Sequence, residues 1–220
     1  MQPAGTPNRL QDLSPSNTPA PGPVPEYRVV CLTGFMGSGK STVGRMLAAQ
    51  LAWHFADLDA EIESESGLSI SQIFAQKGEA VFREIEHQCL ARLLGSASER
   101  NTRLVLALGG GTFAQTRNAA LIRELGAAQR GAGAVVIWLD CAEEDLLQRC
   151  VLMGDRPLFR DAASFRKLYE ERLPHYRQAD YRIESGGEPM RVVEQILALG
   201  IFGRSPQAHA GGNLPGAPLS

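Results

Sequence analysis

Lysine is scarce in this chain: Lys40, Lys77 and Lys167 stand against nineteen arginines. Long apolar runs are missing as well, and none approaches the roughly 20 residues that a membrane-crossing helix needs. The formal net charge is only −2, so no global field draws in nucleic acid and any anion must be held by a local site. The four cysteines (31, 89, 141 and 150) form no C-x-x-C pair and no zinc-type spacing. Cys31 lies in the apolar run VVCL, as buried reduced thiols often do. A reducing compartment, the cytoplasm, without disulfides is therefore expected. The four histidines form no H-E-x-x-H and no ligand cluster. The N-terminus lacks the apolar core of a secretory signal, and Asp12 with a shortage of arginine argues against a transit peptide.

What is present fits one globular domain with tails. The chain has 220 residues, 44% hydrophobic and 21% charged, which is ample for a sizeable core. Residues 1–26 carry seven prolines and read as a disordered leader. Residues 203–220, GRSPQAHAGGNLPGAPLS, read as a similar tail, which leaves 27–202 as the folded domain. Apolar runs RVVCLT (28–33), HFADLD, RLVLAL, AVVIWLD (134–140) and DYRIES read as strands. Helical patterns lie between them. Ser69 can cap ISQIFAQKG and Gly78 can end it. EAVFREIEHQCLARLLG follows, with Val81, Phe82, Ile85, Cys89, Leu90 and Leu93 on one side. Arg117 to Gly126 reads as a helix, Ser164 can cap another, and Pro189 suits the first position of the last. Strands alternating with helices predict an α/β domain with a parallel sheet covered on both faces. Sites then belong at the carboxyl ends of the strands. VLMGDRPLFRDA, about 151–163, reads as a mobile loop.

Gly34-Phe35-Met36-Gly37-Ser38-Gly39-Lys40-Ser41 fits G-x-x-x-x-G-K-[ST] without exception. Glycines let successive N–H groups point at one anion, and the helix that follows offers its dipole. Lysine reaches the β- and γ-phosphates of a nucleotide, and the serine hydroxyl binds Mg²⁺. The alternative is a chance glycine turn. Asp57 and Asp59 sit at the end of the second strand, where a period of two points both to one side. They could orient metal-bound water and hold an acceptor hydroxyl, or simply cap the next helix. Arg83 could be a ligand or a salt-bridge partner of Glu79 or Glu86. Gly109-Gly110-Gly111 could admit a ligand close to the backbone or form a tight turn. Arg156 could close over phosphates from the loop or be a solvated charge. Arg172 and Arg177 read as solvated helix charges as readily as ligands. Arg149 could stack on an adenine or be surface.

In order along the chain, GFMGSGKSTVGRMLA, FADLDAEIE, ISQIFAQKGEAVFREIE, LGGG, RPLF and RLPHYRQAD closely resemble shikimate kinase, over about Tyr27 to Leu199. The resemblance implies a three-layer αβα P-loop fold of the nucleoside-monophosphate-kinase type. Its five-stranded parallel sheet would have the order 2-3-1-4-5, with a mobile lid. The implied reaction is ATP plus shikimate giving ADP plus shikimate 3-phosphate. Gly37 to Thr42 (Gly37, Ser38, Gly39, Lys40, Ser41, Thr42) would hold ATP, with Ser41 on Mg²⁺ and Asp57 on the metal's waters. Asp59 would hold the acceptor hydroxyls. Arg83 and Arg172 would bind the shikimate carboxylate, and Gly109, Gly110 and Gly111 would approach the substrate. Phe74 and Phe82 would wall its ring. Arg156 would come from the lid, and Arg149 and the turn before Pro189 would meet the adenine. Leu58, between the two acids, should point away from them. The family is commonly monomeric, with no nucleic acid or membrane partner. Two rivals are another small-molecule P-loop kinase, such as gluconate kinase, and a non-catalytic nucleotide or shikimate sensor. A sensor would usually have lost Lys40 or an aspartate.

Overall fold

Three of the five strand segments are buried along almost their whole length, as the centre of a covered parallel sheet requires, while the two edge segments are only partly buried. The computed structural model describes residues 27–128, 133–152 and 162–202. Its strands are β1 (Val29–Thr33), β2 (His54–Asp57), β3 (Leu104–Ala107), β4 (Ala134–Asp140) and β5 (Tyr181–Glu184). All neighbouring pairs are parallel, in the order β2-β3-β1-β4-β5. The order and the parallel sense both match the expectation.

Alternate residues of β1 face opposite cores. Val30 and Leu32 meet α1 (Lys40–Leu51) and α7 (Pro189–Ala198) through Val43, Leu47, Val193 and Ile196. Val29 and Cys31 meet α2 (Leu58–Ser66), α3 (Ile70–Glu99) and α4 (Thr116–Ala128) through Ile62, Leu90 and Ile122. A third cluster joins the glycine loop to α5 (Glu143–Leu152) and α6 (Ala162–Tyr176) through Phe35, Leu146, Phe165 and Tyr176. Each fully buried leucine or isoleucine contributes about 1.5–3 kcal/mol of transfer free energy. Burial pushes the Cys31 thiol up to about 12 and the Cys89 thiol to about 11, so both are inert. Cys31, Cys89 and Cys141 are free and buried. No helix among the described residues is long and apolar enough to cross a membrane.

Three local readings need correction. β2 stops at Asp57, so Asp59 lies in the first turn of α2 and not on the strand. The period-two argument for the two acids therefore does not apply. Val81 is 43% exposed, off the apolar face of α3. Ser164 lies inside α6, which begins at Ala162. As expected, Gly78 ends the first helical piece by its own backbone (φ 79°, ψ 169°), so α3 is two helical pieces in series. Ser69 does cap the first piece, in a reciprocal capping box with Gln72.

Candidate active site

Residues at or just beyond the carboxyl ends of β1, β2, β3 and β5 line two clefts that meet along one side of the sheet. The first lies over the glycine loop and encloses about 390 Å³. Gly39 precedes α1 with φ 91°, a left-handed conformation that glycine adopts without strain. No side chain caps α1, so its first N–H groups face the cleft. Gly34 (φ 144°) passes so close to β4 that a Cβ would lie 2.6 Å from the Leu139 carbonyl oxygen. Lys40 Nζ donates to the carbonyls of Gly34 and Phe35, both at 2.9 Å, which lays its stem along the loop.

Gly37 to Thr42 all line this cleft, and so do Arg149 and Pro189. Arg149 reaches there from α5 and bridges two loops. One terminal nitrogen donates to the Gly37 carbonyl at 3.0 Å and the other to the Gly186 carbonyl at 3.1 Å. Arg156 lies outside the described residues.

The second cleft lies over the triglycine turn and encloses about 400 Å³. The arginines, aromatic rings and glycines named above converge on it from α3, the turn after β3 and α6: Phe74, Phe82, Arg83, Gly109 to Gly111, and Arg172. Phe74 and Phe82 face each other across the break at Gly78, their ring centroids 4.5 Å apart. The triglycine provides space. A Cβ on Gly109 would lie 2.7 Å from an Asp59 carboxylate oxygen. One on Gly110 would lie 3.2 Å from an Arg172 terminal nitrogen. One on Gly111 would lie 3.0 Å from both terminal nitrogens of Arg83 and 3.1 Å from one of Arg172. The two guanidinium groups thus converge above Gly111, a fork suited to a carboxylate.

The salt-bridge reading of Arg83 holds, and it does not take the residue out of the cleft. It pairs with Glu79 at 3.0 Å and with Glu86 at 3.0 Å, and it still lines the cleft. Arg172 is 6% exposed and therefore no solvated helix charge; its guanidinium carbon sits 5.6 Å from the Phe35 ring centroid. Arg177 is exposed and lines neither cleft.

The acids close the gap between the clefts. Asp57 caps α2 with one oxygen, which accepts from the Asp59 and Ala60 amides at 3.1 and 3.3 Å. Its other oxygen accepts from the Ser41 hydroxyl. Helix cap and loop partner are one residue, with one oxygen for each role. Leu58 between the acids is fully buried, away from the clefts. Ser41, Asp57, Asp59, Gly110 and Met36 line both clefts.

Three participants escaped the sequence reading. Glu86, 1% exposed, accepts from Arg83 and from the Thr112 hydroxyl. It had entered only as a salt-bridge partner of Arg83. The Tyr176 phenol donates to the Gly110 carbonyl. Burial pushes its pKa up to about 12, a rise partly offset by the neighbouring and hydrogen-bonded Arg172. Thr112 itself carried no signal beyond following the glycines.

Comparison with known proteins agrees with this geometry. The family model for shikimate kinase matches residues 36–199. A shikimate kinase of Persephonella marina is 41% identical over 172 residues, 77% of this chain and 97% of the relative. One of a Synechococcus species is 43% identical over 173 residues, 76% of this chain and 84% of the relative. Among solved structures, the shikimate kinase of Acinetobacter baumannii in complex with shikimate superposes with TM-score 0.70 at 34% identity, covering 80% of this chain and 94% of that one.

Proposed function

The chain belongs to the shikimate kinase family, and we propose that its two clefts are the donor and acceptor halves of one phosphoryl transfer. The reaction is phosphorylation of shikimate by ATP, at the 3-hydroxyl, giving shikimate 3-phosphate and ADP on the route to aromatic amino acids. The observation that carries the division is the shared wall: Ser41, Asp57 and Asp59 line both clefts, so a phosphoryl group can pass without leaving the protein.

In this reading the α1 N-terminus and the glycine-loop amides hold the β- and γ-phosphates, with Lys40 beside them. Arg149 fixes the loop against the turn at Gly186 on the adenine side, next to Pro189. The Arg83 and Arg172 guanidinium groups take the shikimate carboxylate, and Phe74 and Phe82 flank the ring. Asp59 then accepts a hydrogen bond from the attacking hydroxyl and helps remove its proton. Arg156 is assigned to the γ-phosphate by resemblance alone.

The donors at the shared wall are hydroxyl and carboxylate oxygens, which suits Mg²⁺ and not a softer metal. Ser41 would hold it directly and Asp57 through water. When bound, Mg²⁺ offsets charge on the β- and γ-phosphate oxygens. We further infer a cytoplasmic monomer; sedimentation at the 23.8 kDa of one chain checks the second point, and a dimer would overturn it.

The direct test is ADP release from Mg·ATP with shikimate, gluconate or quinate, with the product identified by ³¹P NMR. Shikimate should stimulate release strongly and yield a single phosphomonoester. No stimulation by shikimate, or preference for gluconate, would sink the proposal.

A further inference from the structure

Glu86 is the most deeply buried carboxylate of the acceptor cleft, and its surroundings continue away from that cleft as a chain of polar groups. Its Oε2 accepts from Arg83 Nη1 at 3.0 Å. Its Oε1 accepts from the Thr112 hydroxyl at 2.7 Å. The Thr112 carbonyl accepts from Asn118 Nδ2 at 3.3 Å. With that nitrogen engaged, the Asn118 Oδ1 faces His87 Nδ1 at 2.7 Å. Thr112 and Asn118 are both 0% exposed. Water does not substitute readily for a lost partner at such depth. Neither residue lines either cleft.

We propose that Thr112, seated by Asn118 and His87, is a positioning residue for the acceptor's carboxylate, acting through Glu86 and Arg83. A carboxylate held by Arg83 alone could rotate and draw the guanidinium with it. A second, charge-assisted bond from a hydroxyl fixed by the backbone removes that freedom. Arg83 has five N–H donors. Glu86 engages Nη1, while Nε and Nη2 both lean on the exposed Glu79. The orientation left to the remaining donors, above Gly111, is therefore set by Glu86. The hydroxyl of Thr112 holds Glu86 in turn. The same hydroxyl lies near Gly109, where a Cβ would be 2.9 Å from it and 3.3 Å from Glu86 Oε1, so the arrangement also depends on that glycine.

The inference rests on shikimate as acceptor and is tested with the full chain. Thr112→Val keeps the shape and deletes the hydroxyl. We expect it to weaken binding of shikimate roughly tenfold, measured by calorimetry without nucleotide, while ATP affinity stays within about twofold. Thr112→Ser should restore wild-type binding. The discriminating ligand is shikimate methyl ester, which gives the Arg83 fork no anion. The Thr112→Val penalty should shrink to about twofold for the ester. A penalty equal for acid and ester, an unrestored serine variant, or an equal loss of ATP affinity would overturn the proposal. If Thr112→Val yields no folded protein, Asn118→Ser carries the same acid-against-ester comparison at roughly threefold, and equal losses there also overturn it. Failure of the wild type to respond to shikimate would instead strike the proposed function.

Discussion

The donor cleft draws its loop from one unbroken stretch, Gly34 to Thr42, whose glycines leave the main chain uncovered. The acceptor cleft draws Asp59 from α2, Arg83 and Glu86 from α3, Gly110 from the turn after β3, and Arg172 from α6. A main-chain cradle is fixed once its glycines can adopt the required angles. A side-chain cradle needs every member held by another. Glu79 and Glu86 hold Arg83, Tyr176 holds Gly110 and contacts Arg172, and Thr112 holds Glu86. The donor half should therefore fail abruptly when its central side chain is changed. The acceptor half should fail in graded steps.

The largest expected effect tests the abrupt half. Lys40→Arg should lower kcat roughly a thousandfold, close to Lys40→Ala, because a planar guanidinium fits poorly along the narrow loop. Substantial steady-state activity in the arginine variant would break the comparison. Next comes the shared wall. Asp59→Asn should reduce turnover by about two to three orders of magnitude with ATP affinity unchanged by calorimetry. A parallel collapse of ATP binding would show that the halves are not separable. Gly111→Ala sharpens the graded half. Its methyl group meets both arginines at 3.0–3.1 Å, so the shikimate KM should rise about 10- to 100-fold with little change in the ATP KM. An unaltered shikimate KM would mean the forks can retreat without loss. The smallest effect belongs to Arg149→Ala, which loses two bonds to carbonyls and should raise the ATP KM roughly fivefold, leaving shikimate untouched.

The same contrast explains what was legible before the structure. The glycine loop is contiguous, and its residue types announce phosphate chemistry without help from the rest of the chain. β4 was readable to the residue because a seven-residue apolar run leaves few alternatives. The acceptor residues were placed by family resemblance, since read singly each had a bland alternative. Arg83 and Asp57 fill their bland roles, ion-pair partner and helix cap, and line a cleft as well. Arg172 defied its helical setting because Phe35, more than a hundred residues earlier in the chain, closes over it together with Tyr176 of its own helix. Thr112 donating to Glu86 spans 26 positions and follows no period, so no local pattern could expose it. Asp59 was misplaced by one element for an ordinary reason: a strand end and a capped first helical turn share the same acidic residues.

The break at Gly78 carries a consequence for redesign. With φ at 79° it separates two helical pieces, and a Cβ there would meet nothing within 4 Å, so its constraint is conformational and not spatial. Ile70, Ser71 and Phe74 lie on the first piece and Phe82, Arg83 and Glu86 on the second. The half of the proposed ring wall that Phe74 supplies can thus be re-cut, in size or polarity, while Phe82 and the arginine beside it keep their seat. A laboratory seeking acceptors with other rings but the same carboxylate has its library positions there, and should leave the hinge a glycine.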